Sequence, residues 1–258
     1  NPKSYTLDPS YLNEVLTPLT KAVIPVHLYG ASSDLDSINQ FCKEEGLFLI
    51  EDVSQAHGAK LNGNRLGSIG DLGCFSCFPT KNLGAIGDAG MITTNSKSLK
   101  EKLLMLREYG WNKRVSEIPG RNSRLDEIQA GILRVKLKYL DESNNKRKEI
   151  ADYYSNNLSS NIMLPNNHDD NVFHLFVVQV DERDAILESL RNKNIFAGVH
   201  YHQGVHQQPA YLGRIKTSKI MTETEKLTKH IISLPIYPEL PISKVKLVTD
   251  TLNQLVEP

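Results

Sequence analysis

DLGCFSCFPTKNLGAIGDAG (residues 71–90) places one lysine, Lys81, between a strand-like run and a glycine-rich turn. Apolar side chains alternate through residues 74–78, which is typical of a short strand, and Pro79 would end that strand. Lys81 is therefore expected at a strand exit. A confined amine loses hydration, so its pKa falls and it becomes a nucleophile toward carbonyl groups. The stretch thus outlines a Schiff-base site.

A second feature is the apolar run LFLI (residues 47–50), which is followed by Glu51 and Asp52. Continuous apolar runs are typical of strands buried on both faces of a parallel sheet, and α/β proteins bind ligands at the carboxyl ends of such strands. We therefore expect Asp52 and Lys81 to meet in one crevice. Taken alone, Lys81 would be interpreted as a solvated surface lysine, and Asp52 as a strand-end cap.

Composition excludes several classes of protein. The chain has 258 residues, 40% hydrophobic and 23% charged, which is typical of a globular protein. A formal net charge of zero and the lack of dense basic runs argue against nucleic-acid or membrane-surface partners. No stretch approaches the ~20 apolar residues of a membrane span, and no signal peptide is recognisable. Three cysteines fit a reducing compartment, so we expect a cytoplasmic protein.

The cysteine pair Cys74 and Cys77 has the C-x-x-C spacing of redox or metal sites. No second pair of cysteines or histidines at metal-binding spacing accompanies it, and the alternation around it suits strand packing. We favour packing, and expect no metal.

The periodicity predicts two units. The first has strands at residues 21–28, 47–51, 73–78 and 90–94, with a helix that Ser33 caps and Gly46 ends, so its first two strands should be parallel. Ser96 caps a further helix, and one long amphipathic helix is expected over residues 124–158. After the Asn- and Asp-rich residues 166–171, a small α+β unit is expected, with strands 172–180 and 196–202, helices 183–193, 222–230 and 243–255, and an extended segment at 233–237. We place the domain boundary between residues 139 and 140, giving domains 1–139 and 140–258.

Two glycine-rich stretches, residues 67–73 and 84–90, share the pattern G-x-I-G-D-x-G on either side of Lys81. Neither matches the dinucleotide fingerprint G-x-G-x-x-G, so a Rossmann cofactor site is rejected. We interpret both as backbone turns that form a pocket wall.

Four motifs occur in order: EDVSQAHGA (51–59), GSIGDLGCFSCFPTKNLGAIGDAG (67–90), PGRNSRLDEIQAGILRVKL (119–137) and HLFVVQV (174–180). Together they resemble the DegT/DnrJ/EryC1/StrS family of sugar-nucleotide aminotransferases, from about residue 21 to the end of the chain. The resemblance implies an α/β fold, the PLP-transferase type I fold, in which helices flank a mostly parallel sheet and a smaller C-terminal α+β domain follows.

The resemblance also implies the cofactor, pyridoxal 5′-phosphate. Lys81 would form the Schiff base with it and then carry the proton between the substrate and the cofactor. Asp52 would pair with the pyridine nitrogen and keep it protonated, which makes the ring an electron sink. Gln55 matches the residue that contacts the cofactor O3′, and Ser76 matches a phosphate ligand.

Asn122 matches an asparagine that reaches the cofactor phosphate of a neighbouring subunit, so a homodimer with shared active sites is implied. Alternatives stay open for three of these residues. Ser76 could be a strand serine bonded to its own backbone, Asn122 a turn residue, and His57 either a lid residue or a packed histidine.

The segment GVHYHQGVHQQPAY (residues 198–211) resembles a stretch of family members that aminate C3 of dTDP-linked 3-keto-6-deoxyhexoses. His200, Tyr201 and His206 are therefore candidates for substrate binding. Clustered histidines also suggest metal, but no acidic or cysteine ligand is adjacent. His202 and Gly204 stand where these relatives usually have prolines, which leaves the exact sugar open.

The chain begins at Asn1 without a methionine, and family members carry roughly another hundred residues there, including a turn that cradles the phosphate on a helix N-terminus. We therefore expect an N-terminal part to be missing. The predicted function is transfer of an amino group from L-glutamate to a nucleotide-linked keto sugar. One alternative is a cofactor-binding regulatory or interaction protein. Another is a dehydratase with the same fold, in which histidine replaces the lysine, and Lys81 argues against it.

Overall fold

The structure is a computed structural model that describes residues 1–164, 170–217 and 221–257. Its elements in chain order are α1 (Leu12–Val15), β1 (Ala22–Val23), α2 (Leu35–Glu45), β2 (Phe48–Asp52), β3 (Lys60–Leu61), β4 (Asn64–Arg65), β5 (Leu72–Ser76), β6 (Gly90–Thr93), α3 (Lys97–Arg107), β7 (Trp111–Asn112), β8 (Val115–Ser116), α4 (Glu127–Leu137), α5 (Leu140–Asn157), β9 (Phe176–Gln179), α6 (Arg183–Asn192), α7 (Thr222–His230), β10 (Ile231–Leu234) and α8 (Ile242–Val256). Short 3₁₀ turns cover Pro9–Tyr11, Leu28–Gly30 and Val205–Gln207.

A four-stranded sheet in the order β1-β2-β5-β6 forms the first half of the chain. β1, β2 and β5 are parallel, and β6 is antiparallel to β5. Helices lie beside this sheet, and α2 joins β1 to β2, so the predicted α/β fold is confirmed. Asp52 pairs in register with Cys74, which brings the carboxyl ends of β2 and β5 together.

The first predicted strand, residues 21–28, is wrong in length. Only Ala22–Val23 form a strand, and Val26 adds an isolated bridge to Asp52. Pro25 lacks an N–H group and therefore cannot donate to the ladder, although its carbonyl accepts from the Asp52 N–H at 2.9 Å. The apolar run continues through this interruption, so periodicity alone did not show it.

The helix α2 ends at Gly46 as predicted, with Gly46 in the left-handed conformation at φ 65°. Its N-cap, however, is Asp34 and not Ser33. The Asp34 carboxylate accepts from the Ser37 N–H at 3.2 Å, while the Ser33 hydroxyl donates to the Val26 carbonyl at 2.9 Å. Both residue types cap helices, so the sequence offered two adjacent candidates.

The single helix predicted over residues 124–158 is two helices, α4 and α5, and Lys138 and Tyr139 separate them. Leu133 and Leu140 pack together against buried Cys77. No proline or glycine marks the break, so an uninterrupted amphipathic pattern did not reveal it.

The second half contains a hydrophobic core built around the antiparallel pair β9–β10. Helices α5, α6 and α8 contribute to this core, and Tyr154, Phe176, Leu190 and Leu252 are fully buried in it. The helices follow the prediction closely. The predicted strand 196–202 is reduced to a single bridge between Gly198 and Ser233, and the predicted strand 172–180 to Phe176–Gln179.

The boundary between residues 139 and 140 stays a prediction. Most of the Asn- and Asp-rich segment, residues 166–169, lies outside the described residues. Across the part of the chain that the structure describes, no helix combines the length and apolarity needed to cross a membrane.

Candidate functional site

Two strand ends and the turn after them position the central residues. Asp52 is the last residue of β2, and Ser76 is the last residue of β5. The chain then turns, with the Lys81 N–H donating to the Phe78 carbonyl at 2.9 Å. The carboxylate of Asp52 accepts from the Ser54 N–H at 3.0 Å, and the Ser76 hydroxyl accepts from the Phe78 N–H at 3.4 Å.

Lys81 lies close enough to Asp52 for the carboxylate to act on its charge. Partial burial lowers the pKa of the Lys81 amine, and the negative charge of Asp52 acts in the opposite direction. The predicted convergence of these two residues on one crevice is therefore consistent with the structure. A lysine with a lowered pKa carries more of its neutral, nucleophilic form at neutral pH.

Three imidazoles lie within reach of the charge of Lys81. Burial lowers the pKa values of His57, His174 and His200, and the positive charge of Lys81 lowers each of them further. The pKa falls to about 4 for His57 and to about 3 for His174. All three rings are therefore neutral at neutral pH, and none competes with Lys81 as a cation.

His57 is buried, as a packed histidine would be. Its side chain is 1% exposed and its ring lies 5.6 Å from that of Phe75. Neither ring nitrogen has a hydrogen-bond partner. The Ser76 backbone acts on this ring and partly offsets the lowering of the His57 pKa by burial.

Gln55 is buried and joins the sheet edge to residues 198–211. Its Oε1 accepts from the Tyr29 N–H at 2.6 Å, and its Nε2 donates to the Tyr201 hydroxyl at 3.2 Å. The Tyr29 hydroxyl donates to the His200 carbonyl. One hydrogen of the Gln55 amide has no protein acceptor in these contacts, so it can serve a ligand.

The three residues predicted to bind substrate are arranged in two groups. His200 bonds through Nδ1 to the Ser233 hydroxyl at 2.8 Å, and Tyr201 is half exposed next to it. The His206 Nε2 instead contacts the Glu225 carboxylate of α7 at 3.0 Å. His200 is thus near enough to Lys81 to be affected by its charge, and Tyr201 contacts Gln55. His206 instead contacts α7.

Asn122 has a different set of neighbours from Lys81. It is exposed, and its backbone forms a bridge to Glu108. Among the described residues, no group of three histidine, cysteine or acidic side chains has the arrangement of a metal site. Cys77 is buried among apolar side chains, and Cys74 is a half-buried free thiol.

Glu51 is a residue whose importance the sequence analysis missed. It is 0% exposed, and its carboxylate accepts from the N–H groups of Gly67, Ile69 and Gly70 at 2.6, 2.8 and 2.7 Å. His27 also donates to it at 3.3 Å. The first glycine-rich turn is therefore folded around a carboxylate. A glutamate at the end of an apolar strand, facing opposite to Asp52, was the available signal.

The glycines of this turn are required by close packing. Gly67 has φ +86°, and a Cβ there would lie 2.4 Å from the Phe75 ring. Asp71 in the same turn accepts from the Leu49 N–H at 2.8 Å. The turn is thus fixed to β2 at several points, which holds Asp52 at the edge of the sheet.

A family model described as the DegT/DnrJ/EryC1/StrS aminotransferase family matches residues 1–253. The chain is 45% identical over 255 residues to a dTDP-3-amino-3,6-dideoxy-alpha-D-galactopyranose transaminase of Aneurinibacillus thermoaerophilus, covering 97% of this chain and 70% of that protein. The chain spans about two thirds of the length of the curated relatives it matches.

Solved structures agree with these matches. S. venezuelae DesV in complex with a ketimine intermediate superimposes with a TM-score of 0.95 at 38% identity, covering 100% of this chain and 71% of that chain. NtdA from Bacillus subtilis with bound cofactor PMP superimposes with a TM-score of 0.91 at 31% identity, covering 100% and 61%. The type I fold expected from the motifs is therefore confirmed, and the chain belongs to the DegT/DnrJ/EryC1/StrS aminotransferase family, whose cofactor is pyridoxal phosphate.

Proposed function

We propose that this chain transfers an amino group from L-glutamate to a nucleotide-linked keto sugar, of the dTDP-3-keto-6-deoxyhexose class. The observation that carries the proposal is that Lys81 follows β5, Asp52 ends the neighbouring strand β2, and the negative charge of Asp52 acts on the Lys81 amine. The names of the relatives support the class of substrate.

The residues around Lys81 fit pyridoxal phosphate. An amine with a lowered pKa suits an aldehyde, a carboxylate suits a protonated pyridine nitrogen, and a strand-end hydroxyl suits a phosphate. When bound, the cofactor supplies an electron sink for negative charge at the substrate carbon.

Lys81 has two roles in the proposal. Its neutral amine is the attachment point for the cofactor, and burial favours that neutral form. When the amine is free, its Nζ would carry the proton between the substrate carbon and the cofactor. The neutral histidines around it support this role, because they leave Lys81 as the strongest base among these groups.

The other cofactor contacts are assigned by position. Asp52 would hold the proton on the pyridine nitrogen, Gln55 would donate its remaining amide hydrogen to O3′, and Ser76 would donate its hydroxyl to the phosphate. Asn122 is exposed, which supports a role at the phosphate of a neighbouring subunit. The functional unit in this proposal is a homodimer with shared active sites.

On the substrate side, we assign His200 and Tyr201 to the sugar or the diphosphate, because Tyr201 is half exposed and contacts Gln55. His206 is assigned to the outer part of the same substrate, in its pairing with Glu225. Location in the cytoplasm stays a prediction from the three cysteines.

The test is the first half-reaction. The chain is incubated with pyridoxal phosphate, and a visible absorption band should appear and then change when L-glutamate is added, with release of 2-oxoglutarate. Lys81→Ala should abolish both the band and the release, whereas Lys100→Ala, an exposed lysine of α3, should change neither.

Two results would contradict the proposal. A band that Lys81→Ala leaves unchanged would assign the cofactor to another residue. A bound cofactor that reacts with no amino donor would instead favour the regulatory or interaction protein.

A further inference from the structure

The residue after Lys81 has a fully bonded side chain. Asn82 is half-buried, and its Nδ2 donates to the Asn144 Oδ1 at 2.9 Å and to the Val172 carbonyl at 3.0 Å. Its Oδ1 lies 3.1 Å from Nδ1 of His174. One side chain therefore ties the turn that carries Lys81 to α5 and to the segment that precedes β9.

The directions of these hydrogen bonds follow from two backbone carbonyls. The carbonyl oxygens of His57 and Val172 can only accept, so the amide nitrogens of Asn144 and Asn82 must face them. This leaves the Asn144 Oδ1 to accept from Asn82, and the Asn82 Oδ1 to face His174. His174 must consequently carry its proton on Nδ1.

This network lies where Lys81 needs a fixed environment. Asn144 and His174 are each 8% exposed, so water has little access to their amide and imidazole groups. The charge of Lys81 is felt at His174. With its proton on Nδ1, His174 is neutral and its unprotonated Nε2 faces away from Asn82. The ring therefore adds no positive charge near the Lys81 amine.

We propose that Asn82 is a positioning residue, which fixes Lys81 by clamping its turn to α5 and to residues 172–174 and which holds His174 in the Nδ1–H tautomer. The role assigned to Lys81 rests on the proposed function. Asn82 acts through Lys81 and His174, without touching the reacting atoms.

The tautomer is tested without cofactor. Nitrogen-15 NMR of the imidazoles, with the His174 signals assigned by their loss in His174→Gln, should show a neutral His174 protonated on Nδ1 in the wild type. Asn82→Ala should shift it toward the Nε2–H form that free histidine prefers. A wild-type His174 protonated on Nε2 would overturn the proposal.

The clamp is tested by the rate at which borohydride traps pyridoxal phosphate on Lys81, together with kcat and KM. Displacing a reacting group by about 1 Å costs up to about 100-fold, so Asn82→Ala should slow trapping and lower kcat by about 10-fold to 100-fold, with KM changed less. Asn82→Asp keeps the acceptor for His174 but loses both donors. It should therefore slow trapping while His174 stays protonated on Nδ1.

Asn253→Ala is the matched control. Asn253 is also half-buried and also bonds two backbone groups, the Ser159 N–H at 2.8 Å and the Asn157 carbonyl at 2.9 Å. Asn157 lies at the far end of α5, roughly 20 Å from Asn144 by the rise of a helix. Trapping in Asn253→Ala should match the wild type.

The outcomes separate the two proposals. If wild-type Lys81 traps no cofactor, the proposed function fails, while the NMR result still decides the tautomer. If wild-type Lys81 is trapped and a folded Asn82→Ala is trapped at the same rate as Asn253→Ala, Asn82 does not position Lys81. Circular dichroism and the thermal midpoint identify folded variants.

Discussion

Replacing Glu51 by glutamine should strongly destabilise the fold beneath the site. In Glu51→Gln, Oε1 still accepts from the N–H groups of Ile69 and Gly70. An NH₂ group then takes the place of Oε2, which accepts from the Gly67 N–H at 2.6 Å and from His27. Because NH₂ cannot accept, two buried donors lose their acceptor.

The magnitude follows from these two donors. An unsatisfied buried donor costs about 1–3 kcal/mol, so Glu51→Gln should lower the free energy of unfolding by about 2–6 kcal/mol. His27 contributes as a neutral donor, since its Nδ1 accepts from the Ser33 N–H at 3.1 Å and its proton must therefore be on Nε2. The middle of this range, about 4 kcal/mol, is about 40% of the roughly 10 kcal/mol that stabilises an ordinary domain.

The assay is urea denaturation of both proteins at several pH values. Burial opposes ionisation of Glu51, but hydrogen bonds from His27 and the backbone outweigh it, so the pKa of this carboxyl lies below its usual range. The folded state thus binds the proton less readily than the unfolded state. The stabilisation by Glu51 is complete above its unfolded pKa of about 4.3 and is lost as the pH falls through the lower folded value.

We therefore expect a wide gap between wild type and Glu51→Gln at pH 7, which narrows in acid. Glu142→Gln, at an exposed glutamate of α5 that pairs with Lys146, should leave the denaturation midpoint unchanged. Equal midpoints for Glu51→Gln and wild type at pH 7 would refute the reasoning. So would a gap that does not depend on pH.

Three further predictions concern the site itself. His57→Leu removes a buried imidazole whose pKa of about 4 lies below its unfolded value of about 6.5. Wild type therefore loses stability as the pH falls between these values, and in urea denaturation the variant should lose up to about 3 kcal/mol less. Equal losses would contradict this prediction. Asp52→Asn should lower the pKa of Lys81 further, because the charge of Asp52 now raises it. The pH dependence of borohydride trapping measures this shift. An unchanged midpoint would show that Asp52 does not act on the Lys81 amine. When Lys81→Ala and Asn122→Ala chains are mixed, random pairing puts one chain of each kind in half of the dimers. Each mixed dimer has one intact site of two, so about a quarter of wild-type activity should return. No gain over the separate chains would argue against Asn122 acting across subunits.

Local sequence patterns predicted the parts of the site that strand ends define. Asp52 ends an apolar run and Lys81 follows an alternating run, and both signals need only neighbouring residues. Residues 21–28 were predicted as one strand because their apolar pattern continues through Pro25, where the ladder is interrupted.

The network around Lys81 could not be predicted in this way. Asn82 bonds to residues 62, 90 and 92 positions away along the chain, so its partners depend on how the helices and strands pack. Glu51 likewise meets a turn 16 to 19 residues later. Periodicity shows which face of an element is buried, but it does not show which polar groups meet there.

The attachment point of the cofactor is the most direct measure of the site. The chain is incubated with pyridoxal phosphate, reduced with borohydride and digested, and peptide mass spectrometry locates the added mass. We expect this mass on the peptide that contains Lys81, and on no peptide of exposed lysines such as Lys100. A label spread over surface lysines, with Lys81 unmodified, would contradict the claim that Asp52 and Lys81 form one cofactor site.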